Sequence, residues 1–188
     1  MTALIVIVAL VVVGFMIVMG IYNGLIQGRN AFKNAFAQID VQLKRRYDLI
    51  PNLVKAVEGY MQHEKGVLEN IAKYRSQSVS ATSIAGKAEA ENQLTQGLRQ
   101  LFAVAEAYPE LKANQNFLDL QSKLTDTEDQ LQSARRYYNG TVRNYNILVS
   151  SFPSSIIANK FDYKTAEYFQ IEQESDHAVP EVNFARGA

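Results

Sequence analysis

Few residues in this chain could do chemistry. Cysteine is absent, which excludes thiolate nucleophiles, disulfides and Cys-ligated zinc. The 2 histidines are His63 and His177. A di-iron centre in a helical bundle needs Glu-x-x-His motifs on facing helices, and His63 has no Glu three residues before it. No metal and no other cofactor is expected. The glycines form neither a GxGxxG nor a GxxxxGK phosphate loop, and no nucleophile stands in a motif with a base. The pattern points away from an enzyme. The 19 basic and 19 acidic side chains cancel, so no basic excess exists to neutralise phosphate, and no nucleic-acid partner is expected.

What remains is a set of polar residues where a helical stripe calls for apolar ones. Phe32, Phe36, Ile39, Leu43, Ile50, Leu53, Val57, Tyr60, Val67, Ile71 and Tyr74 follow steps of four and three. Arg46 and Glu64 fill the two missing places. Glu128 and Arg135 lie beside a later stripe. Such charges could form a polar binding site inside a bundle, but their best-attested use is an internal ion-pair network that fixes register. Arg46 is expected to face a carboxylate on another helix, Glu128 first of all. Tyr138-Asn139 and Tyr145-Asn146 recur after seven residues and so share helix faces. They could line a ligand pocket; a packing and register role through ring burial and amide hydrogen bonds is the preferred reading.

These residues need elements to hold them. Residues 2–28 carry no charge, and 4–21 are almost wholly Leu, Ile, Val, Met, Phe and Ala. About 20 such residues cross a ~30 Å hydrocarbon layer as a helix. A cleaved signal peptide would need a basic start, which Met1-Thr2-Ala3 lacks. A transmembrane anchor is the expectation. Arg29, Lys33, Lys44, Arg45 and Arg46 follow the anchor, while only the α-amine precedes it. The positive-inside bias then puts Met1 outside and the domain in the cytoplasm. Tyr22 suits the interfacial layer, and Arg29 and Lys33 suit anionic lipid headgroups.

Beyond the anchor the chain reads as helices throughout. The first stripe predicts one rod over 29–76, kinked at Pro51. The small, polar residues 76–86 read as a connection, and a second helix follows over about 87–107. Tyr108-Pro109 marks a boundary. A long third stripe follows: Phe117, Leu120, Leu124, Thr127, Leu131, Ala134, Tyr138, Thr141, Tyr145, Leu148 and Phe152, ended by Pro153. Ser154 and Ser155 read as an N-cap pair, with short helical turns over 156–169. The polar tail reads as extended or disordered, with Val182 and Phe184 suited to docking in an apolar groove.

The expected fold is all-α: an N-terminal transmembrane helix followed by an elongated four-helix-bundle-like domain with long helices. The divisions are 1–28 for the anchor, 29–169 for the bundle and 170–188 for the tail. Helices of about 70, 30 and 55–65 Å do not match in length. The long ones then need cover from 154–169 or from another subunit, an argument for a homo-oligomer.

Several stretches carry a family likeness: Tyr22-Asn23, Arg29-Asn30, IDVQLKRRYDLIPNLVKAVEGYMQHE at 39–64, YPELKANQNFLDLQ at 108–121 and ARRYYNGTVRNYNILVSSFPSSIIA at 134–158. Here the chain resembles the LemA family. The resemblance implies a bacterial membrane anchor followed by a four-helix-bundle domain, with no established catalytic activity. Family members are often encoded near membrane metalloproteases, which implies a link to quality control or envelope maintenance. The leading functional reading is a self-assembling scaffold at the bacterial inner membrane. The alternative is an adaptor or regulator of a membrane protease.

Overall fold

A computed structural model describes residues 1–61 and 63–169. All the regular structure among them is helical. Helix α1, Thr2–Glu58, runs 57 residues without a break, about 85 Å at the usual rise. Among the described residues nothing covers its start: no residue of its most apolar 18-residue window is buried. This is one helix long and apolar enough to cross a membrane. From Leu25 onward it turns amphipathic and buries Leu25, Ala35, Ile39, Leu43, Arg46, Ile50, Leu53 and Val57.

Pro51 lies inside α1, and the helix passes through it. The break comes later, at Gly59, a poor helix former. The chain then reverses, and α2, Lys65–Ser80, returns along α1. Contacts fix the direction: Val57 and Ile71 share a core, and Arg75 of α2 reaches Tyr47. The single kinked rod over 29–76 is therefore corrected to a hairpin. Both arms of a hairpin face the same core, so the apolar phase survives the reversal and cannot reveal it. One detail shifts: Met61 is buried, whereas Tyr60 is exposed.

The connection expected over 76–86 shrinks to 81–83, because α2 continues to Ser80 and α3 occupies Ile84–Ala105. The Ser83 hydroxyl caps α3 by accepting from the Gly86 N–H. Close packing of α2 on α3 is allowed at Gly97, where a Cβ would stand 3.3 Å from Ile71. A short turn, α4 at Pro109–Lys112, leads into α5, Gln115–Ser150, which Asn114 caps through the Phe117 N–H. Helix α5 runs antiparallel to α1. Phe36 meets Tyr138, and Phe32 meets Tyr145. Gly28 would bring a Cβ within 3.2 Å of Tyr145, so this glycine permits the close approach of α5.

Toward its end α5 departs from the expected stripe. Val142, Tyr145 and Val149 are buried, while Leu148 and Phe152 are exposed. A straight helix drifts about 20° per heptad against a strict seven-residue repeat, and over the length of α5 that carries position 148 off the core face, while Phe152 lies beyond the helix's end at Ser150. Helix α6, Ser154–Lys160, is a short cross-piece with Pro153 at its N-cap, in place of the Ser154-Ser155 pair. The remaining described chain, 163–169, is not helical as expected but extended along α5. Its last side chain, Phe169, is fully buried among Ala35, Ile39, Leu131 and Tyr138. Cover for the long helices thus comes from within the chain. Ala35 of α1 packs in this same internal core.

Candidate functional site

The seam charges meet midway along the bundle. Arg46 of α1 is almost completely buried. Its Nη1 donates to Glu91 Oε2 at 2.9 Å and its Nη2 to Thr95 Oγ1 at 2.8 Å, both on α3. The same Nη1 forms an ion pair with Glu128 Oε2 of α5 at 3.2 Å. The Glu128 contact is coulombic, since its Oε2 receives no aligned hydrogen bond among the described residues. The expected partner is therefore present, but the better-oriented one is Glu91. Tyr47 adds its hydroxyl, which donates to Glu91 Oε1 at 2.5 Å. Arg135 of α5 completes the group, with Nη2 3.8 Å from Glu91 and the guanidinium 5.0 Å above the Phe169 ring.

Two guanidinium groups and two carboxylates cancel in charge, as burial requires. Burial, above all, pulls the Arg135 guanidinium below its ordinary value; Glu128 and then Glu91 oppose the shift. Tyr47 is pushed up, first by burial and then by the Glu91 carboxylate, so it is held as a neutral donor. Glu91 is wholly inaccessible to solvent. Sequence reasoning missed it, although the apolar α3 stripe of Leu94, Leu98, Leu101 and Ala105 extends back to position 91, where a carboxylate stands.

Glu64 does not join this group. It sits at the N-cap of α2, in the turn where the chain reverses, because the helix ended six residues earlier at Glu58. Its apparent seam position follows from reading the hairpin as a rod.

The two Tyr-Asn pairs form a second arrangement. Asn139 Nδ2 donates to the Phe169 carbonyl at 3.1 Å, and its Oδ1 accepts from the Phe169 N–H at 2.9 Å. Asn146 does the same for Ala166, at 3.0 and 2.8 Å. Each amide thus serves the returning chain as a neighbouring strand would. The spacing explains the repeat: seven residues of helix rise about 10.5 Å, and three extended residues span about 10 Å. Tyr138 donates its hydroxyl to the Glu167 carbonyl at 2.8 Å, and its buried ring packs on Phe36. Burial is the main cause that raises the Tyr138 and Tyr145 hydroxyls above their ordinary value.

Where the bundle meets the apolar start of α1, Tyr22 is half-buried against Phe161, with ring centroids 4.9 Å apart. Arg29 stands 6.0 Å over the Tyr163 ring, and Lys33 is exposed on the surface. Val182 and Phe184 lie outside the described residues. Among the described residues no group of His, Asp or Glu is placed to hold a metal ion. Arg46, Tyr47, Glu91 and Thr95 are hydrogen-bonded to one another, which can lock α1 to α3, while Arg135 Nε and Nη2 have no hydrogen-bond partner among the described residues.

The sequence has known relatives. A sequence profile described as the LemA family matches residues 35–184. The chain is similar to Protein LemA of Metamycoplasma hominis, at 26% identity over 85% of this chain and 73% of that protein. It is also similar to Magnetosome protein MamQ of Magnetospirillum gryphiswaldense, at 24% identity over 76% of this chain. A third relative, Magnetosome protein MamQ 2 of Paramagnetospirillum magneticum, is 25% identical over 74% of this chain. The matches span only 62% and 61% of the two magnetosome proteins. With the family profile covering most of the chain, this protein belongs to the LemA family.

Proposed function

We propose that this protein is a non-enzymatic scaffold of the bacterial inner membrane, whose copies assemble side by side with Met1 outside and the bundle in the cytoplasm. The observation that carries the reading is the unbroken α1. The segment that enters the membrane is the same helix that forms the bundle's spine, so the domain projects as a fixed strut. The charge bias supports the orientation, since the Lys and Arg residues near the anchor all follow it.

Two features support lateral assembly. A groove between α1 and α5 is lined by Gln38, Val41, Gln42, Gln130, Ser133 and Tyr137, with Val41 51% and Tyr137 55% exposed. Inside it, Gln42 Oε1 is buried and has no hydrogen-bond partner among the described residues. Lower down, Gly20 and Gly24 have no neighbouring atom among the described residues within 4 Å of where a Cβ would stand, which leaves room for a neighbouring helix.

The test uses the absence of native cysteine. Val41→Cys, Tyr137→Cys and, as a remote control, Lys65→Cys are treated in native membranes with a short bifunctional maleimide. Homodimer bands at 41 and 137 but not at 65 are expected. Monomer at all three positions contradicts the reading. Crosslinks to a membrane protease, in place of a second copy, would favour the adaptor role instead.

A further inference from the structure

We infer that the underside of the α5–α6 corner is a second lipid contact, seated in the headgroup and upper acyl layer beside the anchor. The antiparallel packing of α1 and α5 fixes its height. Tyr145 and Leu148 stand against Gly28, Val149 and Ala158 pack with Leu25, and the Phe161 ring meets Tyr22. The corner is therefore level with 21–25, where the apolar run 4–21 ends.

At that level the chain exposes large apolar side chains. Phe152 is 82% exposed, Ile156 58% and Phe161 51%, with Ile147 also outside. Helix α6 is nonetheless firmly placed, because Ala158 is buried and the Ser154 hydroxyl donates to the Ser151 carbonyl. Its outward face is thus a fixed surface. Lys160 closes α6 and Lys164 follows, both exposed; Lys160 adds a cation suited to lipid phosphate, and Lys164 lies 3.6 Å from the exposed Asp162 carboxylate, which offsets part of its charge. Lipid is the occupant because the patch is continuous with the fully exposed 2–20 stretch of α1. Apolar side chains rimmed by cations are the signature of a surface lying in the interface.

The chain contains no tryptophan, so single substitutions report cleanly. Phe152→Trp and Ile156→Trp are made in the full-length protein and reconstituted into vesicles with acyl chains brominated near the headgroup. The inference rests on 4–21 crossing the membrane, so Phe15→Trp with mid-chain bromines checks that premise separately. Val79→Trp, on α2 and away from both surfaces, serves as the exposed control. Short-wavelength, strongly quenched emission at 152 and 156, with water-like unquenched emission at 79, is the expected result. Water-like emission at 152 and 156 while Phe15→Trp is quenched overturns the inference and leaves the anchor intact. Short-wavelength emission that bromine does not quench assigns the surface to protein, a second copy included, and also overturns it. Loss of quenching at 15 removes the premise and the inference together.

Discussion

Arg75 donates its Nε–H to the backbone carbonyl of Tyr47 at 2.9 Å. That carbonyl is the one Pro51 cannot serve. In a regular helix the carbonyl of residue 47 accepts from the N–H of residue 51, and proline has none. The orphan acceptor faces α2, and a side chain from the returning helix fills it. The proline that might have broken α1 thus becomes a docking point for the hairpin's second arm.

Removing Arg75 should therefore matter more than a half-exposed arginine ordinarily would. Arg75→Ala is expected to cost about 1–3 kcal/mol, the range for stranding a partly buried acceptor. In a Pro51→Ala background the restored N–H serves the carbonyl, and the same substitution should cost measurably less. Denaturation of the four variants in detergent gives the cycle. Equal losses in both backgrounds would detach Arg75 from the proline.

The buried charges make a sharper case. Arg46→Ala leaves Glu91 sealed from solvent with its principal cation gone, and breaking such a pair costs about 3–5 kcal/mol. Replacing both, Arg46→Leu with Glu91→Leu, should cost much less than the sum of the single losses. Additive losses, read from the same denaturation curves, would mean that the two side chains act independently.

Asn139 and Asn146 hold 163–169 by matched pairs of hydrogen bonds. Substituting both by Leu should release that segment while leaving α1 to α5 helical. Hydrogen exchange is the readout: protection at the Ala166 and Phe169 amides should fall, with little change at 35–57. Unchanged protection at those two amides would show that burial of Phe169 alone secures the segment.

Much of this architecture was legible in the sequence, and the misses have physical causes. The uncharged 2–28 run and the four-and-three stripe are strong signals, so the long apolar N-terminal helix and the all-helical fold could be read directly. The hairpin at 59–64 could not. Positions 57, 60, 64 and 67 keep the step through a turn that contains no proline, and only Gly59 marks it. The Asn repeat announced a seven-residue relation but not its object, since an extended chain paired with a helix leaves no periodic trace in its own sequence. Glu91 was hidden because a carboxylate at the head of an Ala-rich helix reads as a solvated face until Arg46 is placed opposite.

Orientation is open to a direct check. A reporter active only in the cytoplasm, fused after Ala188, is expected to be active, because the nearby Lys and Arg follow the anchor. Activity of an export-dependent reporter at the same point would reverse the assignment.

The central claim is that this strut works as an assembly. Native mass measurement of the full-length protein, extracted with its surrounding lipid and without crosslinker, tests it most directly. The expected result is a defined multiple of the 21.1 kDa chain that Val41→Glu together with Tyr137→Glu reduces to the single chain while helicity is retained. A single chain in the unaltered protein, across the concentrations reached in the membrane, would contradict the scaffold account.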